Sequence, residues 1–272
     1  MARRLSAAQI KKRTETNKAF VKIAFVVLIL GLISYLYIRT ISSQLTLDKV
    51  TLCPDDPKSL TVLLVDVTDP MNLPQKQDFI NQLNRLVAQI PRHGKLVITK
   101  VDPVSEKLLN PVITRCNPGQ GKDVSEFDGN PQLLDKDYKM KYLDPLNQAF
   151  SGLFLETEAK QSPILESIQS VALTEFQNPK YGEIDKKLVI VSDFLQNTST
   201  ISFLKGTPEH LKFLRSHEFQ RVKTDLRAID IEMWMLQRAD FRRTQPRALM
   251  ELWESIFREQ NGNPVRIYNV SG

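Results

Sequence analysis

The chain has 272 residues, 25% of them charged and 42% hydrophobic. These figures exclude wholesale disorder or a fibrous repeat and leave room for one large domain or two small ones. The net charge of +6 is unevenly placed. Of 37 basic and 31 acidic residues, eight and one fall in 1–40, leaving 29 and 30 in 41–272, a net of −1. That nearly neutral body offers no footprint for a phosphate backbone, so no nucleic-acid partner is expected.

Residues 1–18 form a basic tail, followed by AFVKIAFVVLILGLISYLYI at 19–38, an apolar run interrupted by the single charge of Lys22. Twenty residues in a helix span about 30 Å, the thickness of the bilayer hydrocarbon. The run predicts one transmembrane helix, with Lys22 snorkelling and Tyr35 and Tyr37 at the far interface. A cleaved signal peptide is the rival reading, but the run is long for one and IRTISSQLTL after it has no A-x-A site. Because the basic arm precedes the run, the amino end is expected in the cytoplasm. The remainder would be extracytoplasmic, and periplasmic in a Gram-negative cell. Single-pass anchoring leaves the oligomeric state open.

Residues 39–58 read as a connector and 59–272 as the folded domain. Within it Ser59–Val65 predicts a strand covered on both faces. A helix is predicted over Gln75–Ile90, then strands over Lys95–Val101 and Pro111–Arg115. The stretch 117–143, rich in Gly, Pro and Asp, reads as an ordered surface excursion. Helices are predicted at Leu143–Leu155 and Ser162–Phe176, a strand at Lys187–Ser192, a helix at 208–227 and a strand at Ile229–Leu236. A helix at Pro246–Glu259 and a last strand at Val265–Tyr268 follow. Alternating strands and helices define an α/β, doubly wound, mostly parallel sheet, and the missing helix before the third strand makes that strand an antiparallel edge.

Both cysteines, Cys53 and Cys116, lie beyond the apolar run. In an oxidising compartment such a pair suits a disulfide, with two unrelated thiols as the alternative. Neither belongs to a CxxC, which argues against a zinc or redox motif.

In open α/β sheets ligands sit beyond the carboxyl ends of the strands. There the first strand runs into Asp66-Val67-Thr68-Asp69-Pro70 and the fourth into Asp193, while Ser162 opens the preceding helix. Carboxylates and hydroxyls without His or Cys suit a hard cation, Mg²⁺ or Mn²⁺ rather than Zn²⁺.

This layout resembles a von Willebrand factor A (vWA) domain over roughly 59–272, in a membrane-anchored form. The resemblance implies an antiparallel third strand and a metal-ion-dependent adhesion site built from D-x-S-x-S, a Thr before a helix and an Asp after strand four. Asp66 matches the first Asp, Thr68 the first Ser, Ser162 the Thr position and Asp193 the last Asp. Pro70 stands where the second Ser would be and supplies no side-chain oxygen, so the motif is degenerate. With Asp66, Thr68, Ser162 and Asp193 as metal ligands, a partner carboxylate would complete the shell. Asp69 and the arginines Arg238, Arg242 and Arg243 would flank it as partner-binding residues. An antiparallel third strand would also carry Cys116 to the sheet end that Cys53 approaches, away from the ligand face.

Plainer readings stand beside these. Asp66 and Thr68 can cap the loop that follows, Ser162 before Pro163 makes a good N-cap with Glu166 in the first turn, and the arginines can be a solvated loop. Enzymatic motifs fit worse. GQGKD at 119–123 lacks the spacing and the Ser or Thr of a phosphate loop, and no G-x-S-x-G or H-E-x-x-H occurs. The sequence therefore points to a non-enzymatic binding module that engages another membrane or envelope protein through a divalent cation. A metal-free scaffold subunit is the alternative, and an Mg²⁺-dependent hydrolase or transferase using Asp66 and Asp193 the more distant one.

Overall fold

A computed structural model of the chain describes residues 7–42, 45–68, 70–101, 109–125, 129–153, 159–238, 247–263 and 265–270. For 7–17, 19, 36 and 39–42 it describes the backbone alone. The chain divides into two compact units, Met1–Thr46 and Leu47–Gly272.

The first unit is one helix, α1 (Ala7–Ser42). Its described apolar side chains, among them Phe20, Phe25, Leu28 and Ile33, are exposed. Among the described residues no helix is long and apolar enough to cross a membrane. The expected span at 19–38 falls partly outside them, since the side chains of Ala19 and Leu36 are not described.

The second unit begins at Leu47 rather than at residue 59, and local chemistry explains why. The Asp48 carboxylate accepts hydrogen bonds from the backbone of Thr51 and Val50 and from the Thr51 hydroxyl, closing a turn. Led by the Thr51 backbone, these donors hold the Asp48 carboxyl below its ordinary range. Cys116 N–H donates to Thr51 O, the Arg115 guanidinium donates to Val50 O, and Cys53 and Cys116 are joined by a disulfide. The part of the expected connector from residue 47 onward is thus tied into the fold.

Six strands form one sheet in the order β3-β2-β1-β4-β5-β6. They are β1 (Ser59–Val65), β2 (Lys95–Lys100), β3 (Ile113–Cys116), β4 (Asp185–Ser192), β5 (Ile229–Leu236) and β6 (Arg266–Val270). All pairs are parallel except β2 with β3, as the missing crossover helix requires. β1 is buried along its whole length, which is why SLTVLLV is mostly apolar, its only polar side chains the small hydroxyls of Ser59 and Thr61, rather than alternating.

One face packs Leu60, Val62, Leu64, Leu188, Ile190, Ile231 and Met233 against α5 (Ile164–Val171), α6 (His210–Leu214), α7 (His217–Val222) and α8 (Arg247–Glu259). The other packs Leu63, Val65, Ile98, Val189, Val191 and Trp234 against α2 (Leu73–Gln89) and α4 (Asp144–Leu153).

Two expected elements differ. The helix expected over 208–227 is split into α6 and α7 because the Ser216 side chain accepts from Phe219 N–H and starts a new helix. The excursion at 117–143 contains α3 (Pro131–Asp137), capped by Asn130, and a π-helical turn (Tyr138–Leu143) that buries Tyr142 completely.

His93, in the turn before β2, is buried, has a positive φ of 66°, and its Nδ1 has no hydrogen-bond partner among the described residues. Burial first, then the charges of Arg92 and Lys58, lower its pKa. A base whose folded pKa is depressed contributes stability above its unfolded pKa, about 6.5, and loses it as pH falls through the folded value. Lowering the pH from about 7.5 to about 5 is therefore expected to reduce the melting temperature more in the native protein than in His93→Asn. Asn tolerates the positive φ and carries no titrating proton. Equal losses in calorimetric scans would show that His93 does not contribute.

Candidate functional site

The chain connects β1 to β2 on one side and places β4 on the other, so the topological switch point lies between the carboxyl ends of β1 and β4. The register pairs Val65 with Val191, which sets the next residues, Asp66 and Ser192, side by side.

Asp66 is buried, 3% exposed, and its carboxylate collects four hydrogen bonds among the described residues. Oδ1 accepts from Thr68 N–H (3.0 Å) and the Thr68 hydroxyl (2.6 Å). Oδ2 accepts from the Ser162 hydroxyl (2.9 Å) and the Ser192 hydroxyl (2.7 Å). One carboxylate thereby holds three segments together.

Ser162 is not the N-cap of α5. Pro163 occupies that position with no side-chain cap bond, and the Ser162 hydroxyl turns to Asp66 instead. The buried helix-start N–H of Leu165, which has no intrahelical acceptor, is satisfied from outside the helix by Gln196 Oε1 at 2.9 Å. Gln196 Nε2 then donates to Glu166. The loop after β4 is pinned to Ser162 by a two-way backbone bridge with Asn197, whose side-chain amide also donates to Lys160 O.

Asp193, 4% exposed, faces a different set of partners. Its Oδ1 accepts from Leu195 N–H, while Oδ2 forms an ion pair with Arg238 Nε at 3.3 Å. The same guanidinium donates through Nη1 to Pro70 O at 2.7 Å. Gln75 Nε2 donates to Gln237 O, which ties the start of α2 to the residues that position Arg238.

Of the expected ligands, Asp66, Thr68 and Ser162 come together, whereas Asp193 is paired with Arg238. Asp69, Arg242 and Arg243 lie outside the described residues. Ser192 and Gln196 were not anticipated. Ser192 had one available signal, since a hydroxyl immediately before an Asp at a strand end is placed to reach the neighbouring strand.

The donor set suits a divalent cation poorly. Pro70 offers no side-chain oxygen, its carbonyl already accepts from Arg238, and a guanidinium sits on one of the two carboxylates. A fixed positive charge there opposes a second cation. Among the described residues no cluster of three or more His, Cys, Asp or Glu is placed to hold a metal ion.

No family model matches the chain, and no curated protein matches it. Similar solved structures include the VWA domain of SpRpn10, 7% identical, covering 78% of this chain and 87% of that one, with a TM-score of 0.40. The conserved hypothetical protein BatB from Bacteroides thetaiotaomicron is 8% identical over 78% and 91%, with a TM-score of 0.42. An aerotolerance-related membrane protein from Bacteroides fragilis is 9% identical over 77% and 90%, at 0.34. The strand order and the single antiparallel edge define an α/β, doubly wound, mostly parallel sheet.

Proposed function

We propose that this chain is a membrane-anchored, vWA-like binding module that engages a protein partner through the face at the carboxyl ends of β1 and β4. The observation that carries this reading is the Asp66 carboxylate, buried at the switch point and drawing hydroxyls from three segments. Such a network holds the surrounding loops in one arrangement, as a recognition surface requires. The apolar run at 19–38 supplies the anchor, and the basic arm before it keeps the amino end in the cytoplasm. The disulfide supports an oxidising compartment for the domain.

The test places a photo-crosslinking residue at Gln161 or Gln237, both exposed beside the site, and at Lys49, exposed in the turn beside the disulfide. In the full chain within its native membrane, Gln161 and Gln237 are expected to yield one discrete adduct and Lys49 none. Asp66→Asn, which removes the negative charge and replaces one accepting oxygen with a donating amide, is expected to reduce that adduct several-fold. Equal adducts at all three positions, or adducts indifferent to Asp66, would sink the reading.

A further inference from the structure

We infer that Arg238 is the resident cation of this site, a tethered guanidinium standing where the vWA arrangement would hold a divalent metal ion. The inference rests on the proposed binding face and concerns what charges and braces it.

The geometry supplies three arguments. Arg238 bridges two of the three segments that a metal ion would bridge, through Asp193 Oδ2 at 3.3 Å and Pro70 O at 2.7 Å. Its side chain is 14% exposed and that of Asp193 5%, so the pair is shielded from the screening that makes surface ion pairs weak. Pro70 matters twice. It removes the hydroxyl that would have coordinated a metal, and its carbonyl serves as the second anchor for the guanidinium.

The planar fork of Arg can take a carboxylate on one nitrogen and a carbonyl on another, which an ammonium does less well. The position of the arginine is fixed from below, because Gln237 is held to α2 through Gln75. Asp66 then needs no metal to neutralise it, since its charge is spread over four hydrogen bonds. A site of this kind is complete without divalent cations. Its partner binding is accordingly insensitive to chelators, and a partner carboxylate is not needed to complete a coordination shell.

The decisive experiment titrates Mn²⁺ alone into the full chain in detergent micelles, following free Mn²⁺ by electron paramagnetic resonance. The native protein is expected to show no saturable site, and chelator to leave its melting temperature unchanged. Arg238→Gln combined with Pro70→Ser removes the charge and restores the hydroxyl. It is expected to tighten Mn²⁺ binding by about tenfold or more, because a unit charge a few Å away no longer opposes the ion. Adding Asp193→Asn to that variant should abolish the gain. Arg238→Lys, which keeps the charge, should exclude Mn²⁺ as the native protein does and guards against misreading an unfolded variant.

Saturable Mn²⁺ binding by the native protein that Asp193→Asn removes would overturn the inference. So would a folded Arg238→Gln, Pro70→Ser variant that binds no better than the native chain. These readouts involve no partner. Loss of the crosslinked adduct at Gln161 and Gln237 would overturn the binding face and leave the metal titration to stand by itself.

Discussion

Replacing Trp253 with alanine is expected to lower the stability of the domain by about 4 kcal/mol, the upper part of the range for a buried aromatic. The indole is 0% exposed on α8, with its ring centroid 5.5 Å from Phe194, 6.1 Å from Phe203 and 5.7 Å from Phe257. Its Nε1–H donates to Phe194 O at 3.0 Å, so truncation also leaves a buried carbonyl unpaired. Phe194 follows Asp193 directly and holds a φ of 61°, a conformation costly for a bulky side chain. Trp253 is part of what keeps it there. The same substitution should therefore loosen the Asp193–Arg238 pair, not merely the core.

Chemical denaturation of the full chain measures the stability term, and the crosslinking yield at Gln237 measures the site term. Trp253→Phe retains most of the apolar contact and loses only the hydrogen bond. It should cost about 1–2 kcal/mol, in keeping with one lost buried bond. A loss below about 1 kcal/mol in Trp253→Ala would mean that the core collapses around the gap.

Removing the disulfide, with Cys53 and Cys116 both changed to serine, is expected to cost a further large amount, about 4 kcal/mol. The bond joins residues 63 apart and encloses β1, α2, β2 and β3. Unlinking them restores the conformational freedom of that loop to the unfolded chain. In the native fold Cys116 pairs with Lys95 at the amino end of β2, and its N–H donates to Thr51 O. The turn at Asp48 therefore remains in place but loses its covalent hold. Reductant should destabilise the native protein to the level of the double variant and leave the variant unaffected. Unequal effects would point to thiol chemistry elsewhere in the assay. Because the bond lies at the amino ends of the parallel strands, its removal should leave the crosslinking pattern at Gln161 and Gln237 intact under conditions where the domain is folded.

The central strands were legible because burial on both faces leaves a mostly apolar run. Ser59–Val65 and Ile229–Leu236 begin and end where the pattern does. Helical segments were harder wherever the period is interrupted. The π-helical turn at Tyr138–Leu143 inserts extra residues into the helical repeat, so Tyr142, fully buried, falls out of phase with the apolar positions around it. The single helix read over 208–227 concealed a break at Ser216, because an isolated serine on a polar face carries little pattern.

At the site, residue type and position singled out Asp66, Thr68, Ser162 and Asp193 as candidates but said nothing of their connections. A Ser before a Pro fits capping as well as a long-range bond. Only the pairing of β1 with β4 brings Asp66 within reach of Ser162 and Ser192. Likewise Arg238 read as one basic residue of a loop, when it reaches back 45 residues to Asp193 and 168 to Pro70.

By itself the sequence determined the sheet, its antiparallel edge, the apolar run and the residue types at the strand ends, since these follow from local periodicity and from which side chains can be buried. The tertiary structure alone decided which acid meets which hydroxyl and which meets the guanidinium. Those contacts join residues distant in the chain, and their partners are set by strand register rather than by any local preference.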